Sequence, residues 1–190
     1  MLSVGWADRG HVLNIEMPEA AEAGAARVLG AARLGCVKLS APLLSVWVQL
    51  RGSGWIESRE GRFRLQRGDW MVLERDSHPL VQTDPQGLFI GVAVGAEALE
   101  MLEALTDGGL YVGRGRMELA ELRTVLRLWR QARSGGDDAL SVRAFLMQFA
   151  NLQREFATRI RRCPGRSRSR KRQVFGRMQR ARLYLEGNSH

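Results

Sequence analysis

Residues 43–94 are punctuated too often for long helices, and they alternate with the period of a strand. Leu44, Val46, Val48 and Leu50 are interleaved with Ser45, Trp47 and Gln49, a period of two. Gly52 and Gly54 interrupt the run, and Trp55, Ile56 and Glu57 resume it. Glu60-Gly61 reads as a hairpin turn, because glycine accepts positive φ. Phe63 and Leu65 then alternate with Arg62, Arg64 and Gln66, and a turn at Gly68-Asp69 leads into a short apolar strand over 70–73. A polar loop over 74–79, a brief strand over 80–82, a turn over 84–87 and a buried strand over 88–94 complete the series. Short strands separated by frequent turns predict a sandwich or a small barrel.

The flanks have a different texture. The Ala-rich residues 18–34 start with Pro18 and predict a short helix, weakened by Gly24 and Gly30. Residues 96–105 predict a helix ended by Asp107-Gly108-Gly109, and 110–116 a connector. Over 117–133, Leu119, Leu122, Val125, Leu126 and Trp129 recur at three- and four-residue steps, as on one helix face. After a break at 134–138, a longer helix is expected over 139–162, with Val142, Phe145, Leu146, Phe149, Leu152, Phe156 and Ile160 as its apolar set. The short loop makes the two helices an antiparallel pair. Residues 163–169 read as a linker, because Pro164 and Gly165 break helices and the arginines repel one another. A last helix is expected from Lys171, with Val174, Met178, Ala181, Leu183 and Leu185 as its stripe. So short a helix is marginal alone in water and calls for a partner surface.

Charge is distributed unevenly. The 190-residue chain carries 29 Lys and Arg against 20 Asp and Glu, a formal +9. Eleven of the basic residues lie within 159–182, where there is no acidic residue. That leaves 18 basic residues against all 20 acidic ones elsewhere, so the body is close to neutral. A block of this kind is the footprint expected for a phosphate backbone, the plain alternative being a solvated tail. Apolar residues make up 45% of the chain, enough for a core. The longest apolar run, 88–96, is far short of the roughly 18 residues a membrane helix needs. The N-terminus lacks a basic start followed by an apolar stretch, so no secretory signal is expected. Cys36 and Cys163 are the two cysteines, too far apart in sequence for a CxxC site, and they fit a reducing cytoplasm.

Two stretches together carry a resemblance. LLSVWVQLRGSGWIESREGRFRLQRGDWMVL, within 39–94, is similar to the cupin-like sensing domain at the front of AraC-type transcriptional regulators. CPGRSRSRKRQVFGRMQRARLYLEGN, 163–188, resembles their interdomain linker and the first helix of their DNA-binding domain. The resemblance implies an α+β fold: a cupin-like β-barrel or double-sheet roll, then an antiparallel helical pair, then a C-terminal linker helix. It divides the chain into an N-terminal segment and cupin-like barrel (1–95), a helical dimerisation region (96–162), and a basic linker with the first helix of a truncated AraC-type DNA-binding domain (163–190). The family's two helix-turn-helix units, which carry base readout, have no counterpart in this sequence. The expectation is therefore a regulatory, effector-sensing and dimerising part of such a regulator. DNA would be read by the complete protein, and this chain alone would make weak, nonspecific phosphate contacts through Arg166, Arg168, Arg170, Lys171 and Arg172.

The chemistry-bearing residues are sparse. A metal cupin needs two or three His with a Glu, whereas Gly54, Trp55, Ile56 and Glu57 occupy the corresponding zone and the chain holds three His in all. No metal, no cofactor and no catalytic residue is expected, and no Ser/His/Asp set or phosphate-cradling glycine loop is present. Effector-pocket candidates are Trp47, Gln49, Trp55, Trp70 and His78; each also has a plain reading as core or, for His78, as a solvated loop residue. Arg51 is a further candidate for an anionic effector, while alternation turns Arg62 and Arg64 to solvent. Leu122, Trp129, Phe145, Phe149, Leu152 and Phe156 are either helix-pair core or the seam of a homodimer. Two rival readings are a metal-independent cupin binding protein or enzyme with an incidental basic tail, and a nonspecific nucleic-acid binder driven by that tail.

Overall fold

A computed structural model of the chain describes residues 3–16, 26–96, 99–100, 110–134 and 138–188. Their strands are β1 (Ser3–Asp8), β2 (Val12–Ile15), β3 (Arg27–Ala32), β4 (Cys36–Leu39), β5 (Leu44–Arg51), β6 (Ser53–Ser58), β7 (Gly61–Gln66), β8 (Asp69–Leu73), β9 (Leu80–Thr83), β10 (Leu88–Val94) and β11 (Gly113–Arg116). Their helices are α1 (Leu119–Arg133), α2 (Asp138–Leu152), α3 (Arg154–Arg162) and α4 (Arg168–Asn188). One sheet runs β1-β3-β10-β5-β8-β11 and the other β2-β4-β9-β6-β7. The fold is α+β, a double-sheet roll followed by helices.

The alternation of β5 becomes two buried faces. Leu44, Val46, Val48 and Leu50 belong to a core between the first sheet and the α1–α2 hairpin, with Trp129, Phe145 and Phe149 opposite. Trp47 points the other way, into the roll between the two sheets, with Phe63, Leu65, Met71 and Phe89. Three layers result: second sheet, first sheet, helix pair. The expected turns are present, with the hairpin turn read at Glu60-Gly61 falling one residue earlier. Ser58 pairs with Gly61, leaving Arg59-Glu60 as a two-residue hairpin loop, and Gly61 takes φ +132°. Phe63 and Leu65 face inward while Arg62, Arg64 and Gln66 are exposed.

Several expectations are corrected. Within 18–34, the described residues 27–32 form β3, parallel to β1 and antiparallel to β10; the remainder of that expected helix up to residue 25 lies outside the described residues. The small side chains that favour a helix locally instead admit close neighbours, since a Cβ on Gly30 would collide with the Trp6 ring. Sheet pairing overrides local propensity here. Of the helix expected over 96–105, Ala96, Leu99 and Glu100 are helical and the others lie outside the described residues. The connector over 110–116 contains β11, which extends the first sheet by pairing with β8. Leu119, placed on the apolar face by its spacing, is half exposed at the start of α1.

The long helix expected over 139–162 is two helices broken at Gln153. The side chain of Gln153 turns aside to clip the connector: its Oε1 accepts the Tyr111 N–H at 2.9 Å and its Nε2 donates to the Tyr111 carbonyl at 2.8 Å. The last helix starts at Arg168, earlier than its sequence suggests. Ser167 Oγ accepts the Arg170 N–H at 3.2 Å, a helix start of the usual hydroxyl type. Its buried stripe is Phe175, Gln179, Leu183 and Gly187. Of the expected stripe, Met178 (58% exposed) and Leu185 (70%) face outward.

Candidate functional site

The inward face of β5 carries three polar side chains in a row, Ser45, Trp47 and Gln49, all fully buried. Ser45 Oγ, Trp47 Nε1 and Gln49 Oε1 each lack a hydrogen-bond partner among the described residues. Gln49 Nε2 donates to the Arg51 carbonyl at 2.6 Å, which fixes the amide and leaves its oxygen directed inward. A buried polar atom without a partner costs roughly 1–3 kcal/mol, and three of them stand on this one strand face. The facing strand makes room for them. Gly91 lies opposite Trp47 and Ala93 opposite Ser45. A Cβ on Gly91 would come within 2.6 Å of the Trp47 ring. Phe89 meets Trp47 edge-on at 6.5 Å and completes an aromatic wall. The row offers one donor, one acceptor and one hydroxyl beside that wall.

Of the pocket candidates read from the sequence, Trp47 and Gln49 are therefore brought together, and Ser45 joins them by sharing their strand parity. The others stand elsewhere. Trp55 lies on the outer face of the second sheet, with the Arg62 guanidinium 4.3 Å from its ring centre. Trp70 faces the helix pair and meets Phe149 edge-on at 6.0 Å. His78 is an exposed loop residue at φ +45°. Arg51 is exposed, its Nε donating to the Gln86 carbonyl at 3.2 Å.

The basic C-terminal helix is seated on this roll. Leu183, 2% exposed, joins the interior cluster of Trp47, Phe63 and Leu65. One turn on, the helix backbone meets the β6–β7 hairpin glycine to glycine: a Cβ on Gly187 would lie 2.6 Å from the Phe63 ring and 2.7 Å from the Glu60 carbonyl oxygen. Asn188 Nδ2 donates to that carbonyl at 3.0 Å. Arg180 pairs with Glu74 at 2.9 Å. Burial raises the Glu74 carboxyl above its ordinary range, and Arg180 opposes the shift without cancelling it. Glu60, whose carboxylate accepts from Ser58 Oγ (2.8 Å) and Ser77 Oγ (2.7 Å), completes the seat. At the other end of α4, Phe175 packs on Tyr111 and Phe156, with ring centres 5.3 and 5.1 Å away. The sequence calls for a partner surface for this helix but does not say that the roll supplies it.

Among the residues expected to touch phosphate, Arg166, Arg168 and Arg170 are exposed, while Lys171 and Arg172 are half-buried. Lys171 Nζ donates to the Arg161 carbonyl at 2.8 Å and ties the start of α4 to α3. Leu122, Trp129, Phe145 and Phe149 are buried in the core beneath the helix pair. Leu152 and Phe156 are half-buried. Among the described residues there is no group of three or more His, Cys, Asp or Glu that could hold a metal ion, and no helix long and apolar enough to cross a membrane.

No family model matches the chain, and no curated protein matches it. Solved structures do. Apo ToxT from Vibrio cholerae matches with a TM-score of 0.49 at 8% identity, over 70% of this chain and 55% of that one. The AraC-like transcriptional activator CuxR matches with a TM-score of 0.37 at 9% identity, over 77% and 61%. A cupin protein from Bacteroides fragilis matches with a TM-score of 0.30 at 19% identity, over 37% and 64%. The chain thus spans little more than half the length of the ToxT chain it matches.

Proposed function

We propose that this chain is the effector-sensing part of a cytoplasmic, non-enzymatic transcriptional regulator of the AraC type. The roll interior takes a small effector on Ser45, Trp47 and Gln49, and α4 carries its presence to the DNA-reading part of the complete regulator. The carrying observation is Leu183: one residue of the basic helix belongs to the same buried cluster as Trp47. An occupant that displaces interior side chains changes how well Leu183 fits, and so shifts the balance between seated and unseated α4. The exposed arginines at 166, 168 and 170 supply nonspecific phosphate contacts near the hinge, with the salt dependence such contacts bring. A homodimer is part of this reading, and its apolar contribution falls to half-buried Leu152 and Phe156 rather than to the fully buried aromatic residues.

The experiment is a thermal-shift screen of sugars, organic acids and small aromatic metabolites against the wild type, repeated for each hit on Ser45→Ala and Gln49→Leu. The reading expects at least one compound that raises the wild-type Tm and loses most of that effect in both variants. Hits that stabilise all three proteins equally would place the binding site outside the roll.

A further inference from the structure

The basic block at the C-terminus is not the only concentration of positive charge. On α1, Arg123, Arg127 and Arg130 stand at four- and three-residue steps and are all exposed. Along the helix axis they are about 6 Å and about 4.5 Å apart. They line an open, shallow groove of about 820 Å³ along α1, together with Leu126, Gln131, Ser134 and, from α2, Ser141. None of the three guanidiniums has a carboxylate partner among the described residues. A guanidinium fork is shaped for a carboxylate or a phosphate, and three of them beside one apolar side chain select between the two.

From this geometry we propose that the α1–α2 groove is a docking surface for an acidic, amphipathic helical segment of a partner protein. Such a segment presents Glu or Asp at matching four- and three-residue steps to Arg123, Arg127 and Arg130. Its intervening apolar residues cover Leu126. This is the helix-in-groove mode of recognition, with charge fixing the register. Duplex DNA fits less well, since its backbone offers phosphate but no apolar side chain to cover Leu126. A second copy of this chain docking face to face would set arginine row against arginine row. The surface lies apart from the effector row and from α4, so it stands or falls independently of the proposed function.

The test uses the full chain and a fluorescein-labelled synthetic helix with Glu at those steps and Leu between them, read by fluorescence anisotropy. A scrambled peptide of the same composition and a labelled duplex DNA serve as comparison probes. Replacing Arg123, Arg127 and Arg130 together by Gln keeps good helix formers at exposed positions, so the variant folds. It is expected to weaken peptide binding about tenfold. Leu126→Ser is expected to weaken the peptide several-fold and to leave DNA unaffected. Arg166→Glu with Arg170→Glu is expected to weaken DNA and leave the peptide within about twofold, roughly 0.4 kcal/mol. The proposal is overturned if the tail substitutions abolish peptide binding while the groove substitutions do not. It is equally overturned if the scrambled peptide binds as tightly, or if the arginine replacement weakens DNA as much as peptide with Leu126→Ser silent. That last pattern would make the groove a phosphate contact.

Discussion

The first sheet buries both of its faces, and the two treat an indole differently. On the helix side, Trp129 Nε1 donates to the carbonyls of Leu29 and Gly91, both at 3.1 Å, and so bolts α1 across β3 and β10. Trp6 lies against it at 6.1 Å with the Arg133 guanidinium over both rings. On the roll side, Trp47 is just as buried and its Nε1 has no partner, as is true of one atom each of Ser45 and Gln49 beside it. The same strand, β5, supplies both environments. One face is satisfied and holds the molecule together. The other tolerates unpaired polar atoms, the feature on which the proposed effector site rests.

Removing a polar group should therefore have opposite consequences on the two faces. The largest effect is expected at Trp129→Ala, which removes a buried aromatic and leaves two sheet carbonyls without their donor; a loss of about 3–5 kcal/mol should show as a lower urea midpoint. Leu183→Ala should cost about 2–3 kcal/mol, read in the same way, because the cavity opens at the roll's rim where neighbours can partly collapse. Gly187→Val should unseat the end of α4 through the clash with Phe63 and Glu60, and limited proteolysis should cut within 178–188 faster than in the wild type. Ser45→Ala, on the roll side, removes an unpaired hydroxyl and should be neutral or stabilising by up to about 1 kcal/mol. A Ser45→Ala cost near that of Trp129→Ala would erase the contrast.

The smallest effect concerns pH at the seat of α4. Glu74 has a raised folded-state pKa, caused first by burial. The folded state therefore holds its proton more tightly than the unfolded chain. Stability from this group is highest when it is protonated and declines as pH rises from the ordinary carboxylate range through the raised value. Glu74→Gln should flatten that part of a Tm-against-pH curve, and near neutrality it should match or slightly exceed the wild-type Tm. A steeper curve in the variant would contradict the assignment.

Strands β5 to β10 were legible because alternation and glycine turns are local signals. What sequence period could not give was which parity faces the roll when both faces are buried. Trp47 and Gln49 fall on the inner parity of β5, Trp70 on the outer parity of β8, and Trp55 on the outer parity of β6. Ser45 was overlooked because a lone serine in a strand has no distinctive pattern. β3 and β11 were missed since their pairing partners are far away in sequence: Gly30 needs Trp6, and Gly115 needs the Trp70 ring, 2.7 Å from where its Cβ would stand. The break at Gln153 depends on Tyr111, a contact 42 positions distant. The stripe of α4 was misread because it runs through Gln179 and Gly187, neither of which counts as apolar.

Hydrogen–deuterium exchange on α4 most directly tests the link between the inner face of β5 and the basic helix. Two substitutions on adjacent residues of that strand, Ser45→Val inward and Val46→Ala outward, perturb one face each. The account predicts that Ser45→Val speeds exchange across 178–188 by about tenfold or more, equivalent to about 1.4 kcal/mol of local opening, while Val46→Ala leaves those amides as protected as in the wild type. Equal effects from both substitutions, or none from Ser45→Val in a protein that remains folded, would contradict it.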